Sequence, residues 1–119
     1  MFIVLTNINM VKNKIIKIVK YLSSRLEANG VDVSDIILFG SQARGDAKRD
    51  SDIDLIIISK SFKGKDIFER AEMVGPAEME TIKKYAVPFD IITKTKEEYK
   101  SVKSLIAGYA MEEGISVGA

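Results

Sequence analysis

The sequence predicts an α/β fold: a small mixed sheet of three or more strands flanked by helices. Three observations carry that prediction. Two short apolar runs, at 35–39 and 53–59, are rich in β-branched residues and lack helical period. Stretches with apolar residues every three or four positions lie before and after them. The chain has 119 residues, 46% hydrophobic and 29% charged, enough for one modest core. With two prolines, no internal repeat and no low-complexity tract, no linker divides it, so a single domain over 1–119 is expected.

Taken in order, Val11, Ile15, Ile18, Val19, Leu22 and Leu26 form one stripe of an amphipathic helix, and Asn29-Gly30 stops it. The lysines between them read as a solvated face. Residues 1–9 share none of this period and read as a frayed extension ahead of Met10, itself a candidate start. A strand follows at 35–39, ended by Gly40-Ser41, and a second at 53–59 with Asp54 near its start. The polar stretch 42–51 between them has room for one helical turn and a return. Ile67, Phe68, Ala71 and Val74 predict a helix that breaks near Gly75-Pro76 and resumes through Met79, Ile82 and Tyr85. Phe89-Asp90-Ile91-Ile92 is a third strand. Thr95-Lys96-Glu97-Glu98 has the form of a capping box and opens a last helix, which Gly114 ends before a short apolar tail. Met73 and Met79 are expected in the core, and Tyr85, Tyr99 and Tyr109 as half-buried anchors. The brief connection between the first two strands permits antiparallel pairing, and the helical crossover to the third favours parallel pairing. Gly40-Ser41, Asp52, Asp54 and Asp90 then fall at one edge of the sheet.

Composition narrows the chemistry. The chain has no cysteine and no histidine, which excludes disulfides, structural zinc sites, haem ligation and histidine-dependent triads. Catalysis must rest on carboxylates. A net charge of +1 argues against an extended nucleic-acid footprint. No stretch approaches the ~18 apolar residues of a membrane span, and no signal-peptide pattern opens the chain, so a cytoplasmic location is expected.

Asp is depleted in strands because an ionised carboxylate resists burial, yet Asp52 and Asp54 sit two apart at the head of an apolar strand. Alternation places both on one face, ~6.6 Å apart at Cα. Asp90, at a comparable place on the third strand, makes a third acidic group. Oxygen-only ligands select hard cations, so Mg²⁺ is expected, with Mn²⁺ as a substitute. The other half of the constellation is Gly40-Ser41-Gln42-Ala43-Arg44-Gly45. Its glycine allows close backbone approach to a ligand, Ser41 can cap a short helical turn whose free amides face phosphate oxygens, and Arg44 adds a charge-assisted donor. Phosphate donors beside metal-binding carboxylates suggest phosphoryl or nucleotidyl transfer. Alone, a Gly-Ser pair is an ordinary turn and Asp-x-Asp an ordinary loop end. Their joint spacing would arise by chance about once per thousand chains of this size.

Gly40-Ser41, ten intervening residues, then Asp52-Ile53-Asp54, with Arg44 in place, resembles the signature of the DNA polymerase beta-like nucleotidyltransferase superfamily. The short length resembles its minimal branch, which includes the catalytic domain of aminoglycoside nucleotidyltransferases and the MNT proteins paired with HEPN-domain ribonucleases in toxin–antitoxin systems. The motif spans 40–54, and the element order from 11 to 106 agrees with that fold. The resemblance implies that Ser41 and Arg44 hold the outer phosphates of the nucleotide. It further implies that Asp52 and Asp54 bind both metals and Asp90 the one nearest the attacking hydroxyl; Asp90 rests on its strand context, since no fixed spacing marks it. It implies ATP as substrate and AMP as the transferred group. Larger relatives present the acceptor on a second domain, so a partner is expected to supply it here: a tyrosine of a HEPN-type toxin, inactivated by AMP. Two other readings stand beside this one. In one, the chain is a non-catalytic antitoxin that binds and covers its partner. In the other, it modifies a small hydroxylated molecule and is completed by homo-oligomerisation.

Overall fold

The computed structural model describes residues 13–44, 51–105 and 115–116. Helix α1 (Asn13–Ala28) buries Ile15, Ile18, Val19, Leu22 and Leu26, the predicted stripe apart from Val11, which lies outside the described residues. Fully burying each large aliphatic side chain contributes roughly 1.5–3 kcal/mol. The helix closes as expected: Gly30 takes φ +86°, and the Val31 amide donates back to the Leu26 carbonyl at 3.0 Å.

Strand β1 (Val33–Phe39) runs directly into the one-turn helix α2 (Gly40–Arg44). Strand β2 (Ile53–Ser59) returns antiparallel, with Ile37 opposite Ile56 and Phe39 opposite Asp54. A 3-10 turn at Lys60–Phe62 follows, held by the Ser59 hydroxyl accepting from the Ser61 amide, and it buries Phe62 completely.

Helix α3 (Ile67–Tyr85) corrects one expectation, because it passes through Gly75-Pro76 without a break. Proline removes one intrahelical donor and crowds the residue before it. Here that residue is a glycine with no Cβ to crowd. On either side Val74, Ala77 and Thr81 are buried, so packing holds both halves in one line. Asp66 and Glu69 start the helix with a reciprocal capping box, a second one besides that at Thr95. Met79, expected in the core, is 55% exposed. Two residues beyond Ala77 on a helix is more than half a turn away from the packed side. Met73, also expected in the core, is only partly buried and packs against the core's side; Tyr85 and Tyr99 are half-buried as expected, and Tyr109 lies outside the described residues.

Strand β3 (Phe89–Lys94) joins β2 in parallel, and α4 (Lys96–Leu105) opens on the predicted box. The Thr95 amide donates to Glu98 at 2.7 Å, and the Glu98 amide donates to the Thr95 hydroxyl at 3.2 Å. Strand β4 (Ile115–Ser116), which the sequence showed only as an apolar tail, pairs antiparallel with β1. The sheet order is β3-β2-β1-β4.

The two faces of the sheet differ. Ile36, Leu38, Ile53, Leu55 and Ile57 pack with α1 and α3 into the main core. Ile37, Ile56 and Ile58 lie on the opposite face under Phe39 and Tyr99, the latter from α4. Among the described residues, no helix is long and apolar enough to cross a membrane.

Candidate active site

The acidic residues sit where the topology places them. Asp54 is opposite Phe39 at the end of β1 and level with Asp90 on β3. Register partners on parallel neighbours share a face, with backbones ~4.8 Å apart. That face is the one opposite α1 and α3, since Ile53 and Leu55, the neighbours of Asp54, belong to the core beneath those helices. Asp52 lies immediately ahead of the first paired residue of β2 and is exposed; Asp54 is half-buried and Asp90 exposed. The Ile53 amide donates to the Pro88 carbonyl at 3.0 Å, fixing the heads of β2 and β3 together. Tyr99 of α4 covers this face at its far end, over Ile56 and Ile58.

Gly40 joins the two halves of the site. Its φ of +69° is one that L side chains avoid, and a Cβ there would overlap the Asp54 carboxylate. The chain can turn from β1 into α2 while touching Asp54 only because this residue is glycine. Ser41 is half-exposed on the turn, and Gln42, which the sequence offered no reason to separate from its neighbours, is its buried side chain at 8% exposure. Arg44 ends α2, and the role expected of its guanidinium falls outside the described side chains.

A hard divalent cation fits this donor set in kind and in backbone placement: three carboxylates, no softer competitor, two of them level on adjacent strands. Among the described residues, however, no three acidic side chains are already drawn together into a cluster that would hold an ion. Two cavities lie at the other end of the sheet. One of 360 Å³ is bounded by Lys65, Arg70, Lys94 and Glu98, and one of 320 Å³ by Asp35, Ile58 and Tyr99. Neither gathers several acids, and Glu98 is occupied by Arg70, through Nη1 at 2.7 Å and Nη2 at 3.2 Å. That ion pair holds the Glu98 carboxyl at a pKa of about 2 and stitches α3 to α4. No local pattern in the chain signals it.

A mixed sheet that brings a strand-ending Gly-Ser turn against paired aspartates is the arrangement of a nucleotidyl-transfer domain. The family model of the nucleotidyltransferase domain matches residues 13–115, and the chain belongs to that family. A relative from Methanocaldococcus jannaschii, whose name proposes it as a protein adenylyltransferase, is 33% identical over 91 residues. The match takes in 75% of this chain and 61% of that protein's length. Among solved structures, one from Sulfolobus solfataricus, described as a proposed nucleotidyltransferase, superposes with a TM-score of 0.59 at 25% identity, covering 74% of this chain and 73% of the other. A toxin–antitoxin structure with AMP-PNP gives a TM-score of 0.57 at 20% identity over 84% of this chain and 73% of the other. A mutant of the toxin–antitoxin MntA-HpeT gives 0.53 at 21% over 90% and 73%. These last two are likenesses of fold.

Proposed function

We propose that this chain transfers AMP from ATP to a hydroxyl, and that the acceptor is a tyrosine of a HEPN-type toxin, which the modification silences. The observation that carries the reading is the level pairing of Asp54 with Asp90 while the Gly40 backbone lies against the Asp54 carboxylate. The relative named for protein adenylylation and the fold likeness to toxin–antitoxin structures support the choice of reaction and partner.

In this reading Ser41, the Gly40 turn and Arg44 bind the β- and γ-phosphates and aim the α-phosphorus toward the acids. Asp52, Asp54 and Asp90 would hold Mg²⁺, or Mn²⁺ in its place. Bound there, such ions supply neutralisation of the charge that grows on the phosphates and a lower pKa for the acceptor hydroxyl. Asp90, at the outer strand, takes the hydroxyl proton as the acceptor oxygen bonds to the α-phosphorus. The bond from that phosphorus to the oxygen bridging to the β-phosphate breaks, and pyrophosphate leaves with the electron pair.

The test incubates the chain with Mg²⁺, ATP labelled at the α-phosphate and a HEPN-domain protein. Label should appear on a tyrosine of that protein, and Asp54→Asn should lower the rate at least about a hundredfold with the fold intact. Equal labelling by wild type and Asp54→Asn would contradict the catalytic role. A partner inhibited without label would favour simple occlusion, and label confined to a small hydroxylated molecule would favour the small-molecule reading.

A further inference from the structure

The 360 Å³ cavity beside β3 has an unbalanced charge: Lys65, Arg70 and Lys94 line it with a single carboxylate, Glu98. That carboxylate is spent on Arg70. One of its oxygens accepts from Nη1 and from the Thr95 amide, and the other accepts from Nη2. Among the described residues, neither the Lys65 nor the Lys94 ammonium has an ion-pair partner. The acids that follow Lys65 in sequence, Asp66 and Glu69, are engaged in capping α3. Both lysine charges therefore stand uncompensated at the cavity. Arg70 gives it a fixed wall. Its side chain is only 11% exposed, and its guanidinium is held by the Lys65 and Thr93 carbonyls as well as by Glu98. A guanidinium has five N–H donors; these contacts use four of them, which leaves one hydrogen on Nη2. The Thr93 hydroxyl, also at the cavity, has no partner among the described residues. The remaining wall is aliphatic, made by Ile67, Ile91 and Ile92, of which Ile67 is 74% and Ile92 40% exposed.

We propose that this cavity binds a small phosphate monoester, with its head group against Lys65 and Lys94 and its organic body on Ile67, Ile91 and Ile92. Charge selects the head. A monoester above its second pKa of about 6 carries close to two negative charges, which match the two ammonium groups. A monocarboxylate would leave one lysine uncompensated. The three phosphate oxygens also have acceptor capacity for the open Nη2 hydrogen and the Thr93 hydroxyl. The aliphatic wall selects the body, because inorganic phosphate would leave the isoleucines in water whereas an apolar substituent covers them. Size limits it. At 360 Å³ the cavity stands near the lower end of the roughly 300–1,000 Å³ usual for small-molecule sites, which suits a single ring or short chain rather than a nucleoside triphosphate. The site is separate from the acids, since Asp90 lies near the start of β3 and Lys94 ends it. It stands independently of the proposed AMP transfer, and its readout is binding in the absence of metal and ATP.

The test is an NMR titration of the isotope-labelled chain with phenyl phosphate, in metal-free buffer at about pH 7.5 and ~150 mM salt. Saturable shifts should appear at the amides of Ile67, Ile92 and Lys94, with a Kd of about 1 mM or tighter, and not at Gly40 and Ser41. Inorganic phosphate should bind at least about fivefold more weakly. Lys65→Gln combined with Lys94→Gln should weaken phenyl phosphate at least about tenfold. Ile67→Ser, at an exposed position, should remove most of its advantage over inorganic phosphate. Circular dichroism establishes that each variant is folded. No saturation by about 20 mM, shifts centred on Gly40 and Ser41, equal affinity for inorganic phosphate, or binding indifferent to the lysine pair would each overturn the proposal. So would tighter binding of a phosphotyrosine peptide than of phenyl phosphate, which would assign the head group to a modified protein chain instead of a free small molecule.

Discussion

Gly40 is the residue on which the site turns, for two separable reasons. Its φ of +69° is costly for any side chain, and its Cα touches the Asp54 carboxylate. Gly64 has the first property without the second: φ is +75°, and a Cβ there meets nothing within 4 Å. Gly64→Ala should therefore cost about 1 kcal/mol in urea unfolding, the conformational part alone. Gly40→Ala should cost about 2–3 kcal/mol and also displace Asp54, lowering nucleotide affinity in a titration. Equal costs would show that the close approach carries no weight. At this scale the sequence was informative where a spacing existed. Gly40, Ser41, Asp52 and Asp54 stand in one short motif, whereas Asp90 lies 36 residues beyond Asp54 and was visible only as an acid in an apolar strand. The Arg70–Glu98 pair was not visible at all. It joins side chains 28 residues apart that carry no shared local pattern.

Among the elements, α3 shows a local rule overridden by packing. Pro76 leaves the Glu72 carbonyl without its usual helical donor, so Pro76→Ala should raise stability by about 1–2 kcal/mol in urea unfolding, less than the full interior penalty because proline also restricts the unfolded chain. A helix that was truly interrupted at this point would gain little. The start of α4 makes a pH-dependent prediction. Glu98 has its pKa lowered from 4.5 to about 2, first by its hydrogen bond from Arg70 and then by the Thr95 amide. A lowered carboxyl pKa gives stability that is complete above the unfolded value and is lost as pH falls from 4.5 toward 2. The Glu98 side chain is 42% exposed, so solvent screens much of that gain. Glu98→Gln should cost about 1 kcal/mol at pH 7 and almost nothing near pH 2, with a flatter stability profile between pH 5 and 2. Capping chemistry was legible here because the box lies within four residues. Strand β4 was not, since two residues, Ile115–Ser116, carry no period, and their pairing depends on β1 more than 70 positions earlier.

At the scale of the whole molecule, connection lengths dictated the arrangement. The return between β1 and β2 allows them to pair antiparallel, and the helical crossover of α3 favours a parallel β3, so the end of one strand meets the beginnings of two others. This convergence was readable before any coordinates. What was not readable is that, among the described residues, α1 and α3 cover one face while Tyr99 of α4 covers the far end of the other, with Asp52 and Asp90 exposed. The proposed chemistry requires this surface to bind a metal–nucleotide complex. Its most direct measurement is diffraction from crystals containing a non-hydrolysable ATP analogue and Mn²⁺, with anomalous scattering to locate the ion. Mn²⁺ is expected at ~2.1 Å from carboxylate oxygens of Asp52, Asp54 and Asp90, with the triphosphate against Gly40 and Ser41. An analogue seated in the cavity beside Arg70 and Lys94, with no ion at the aspartates, would contradict it.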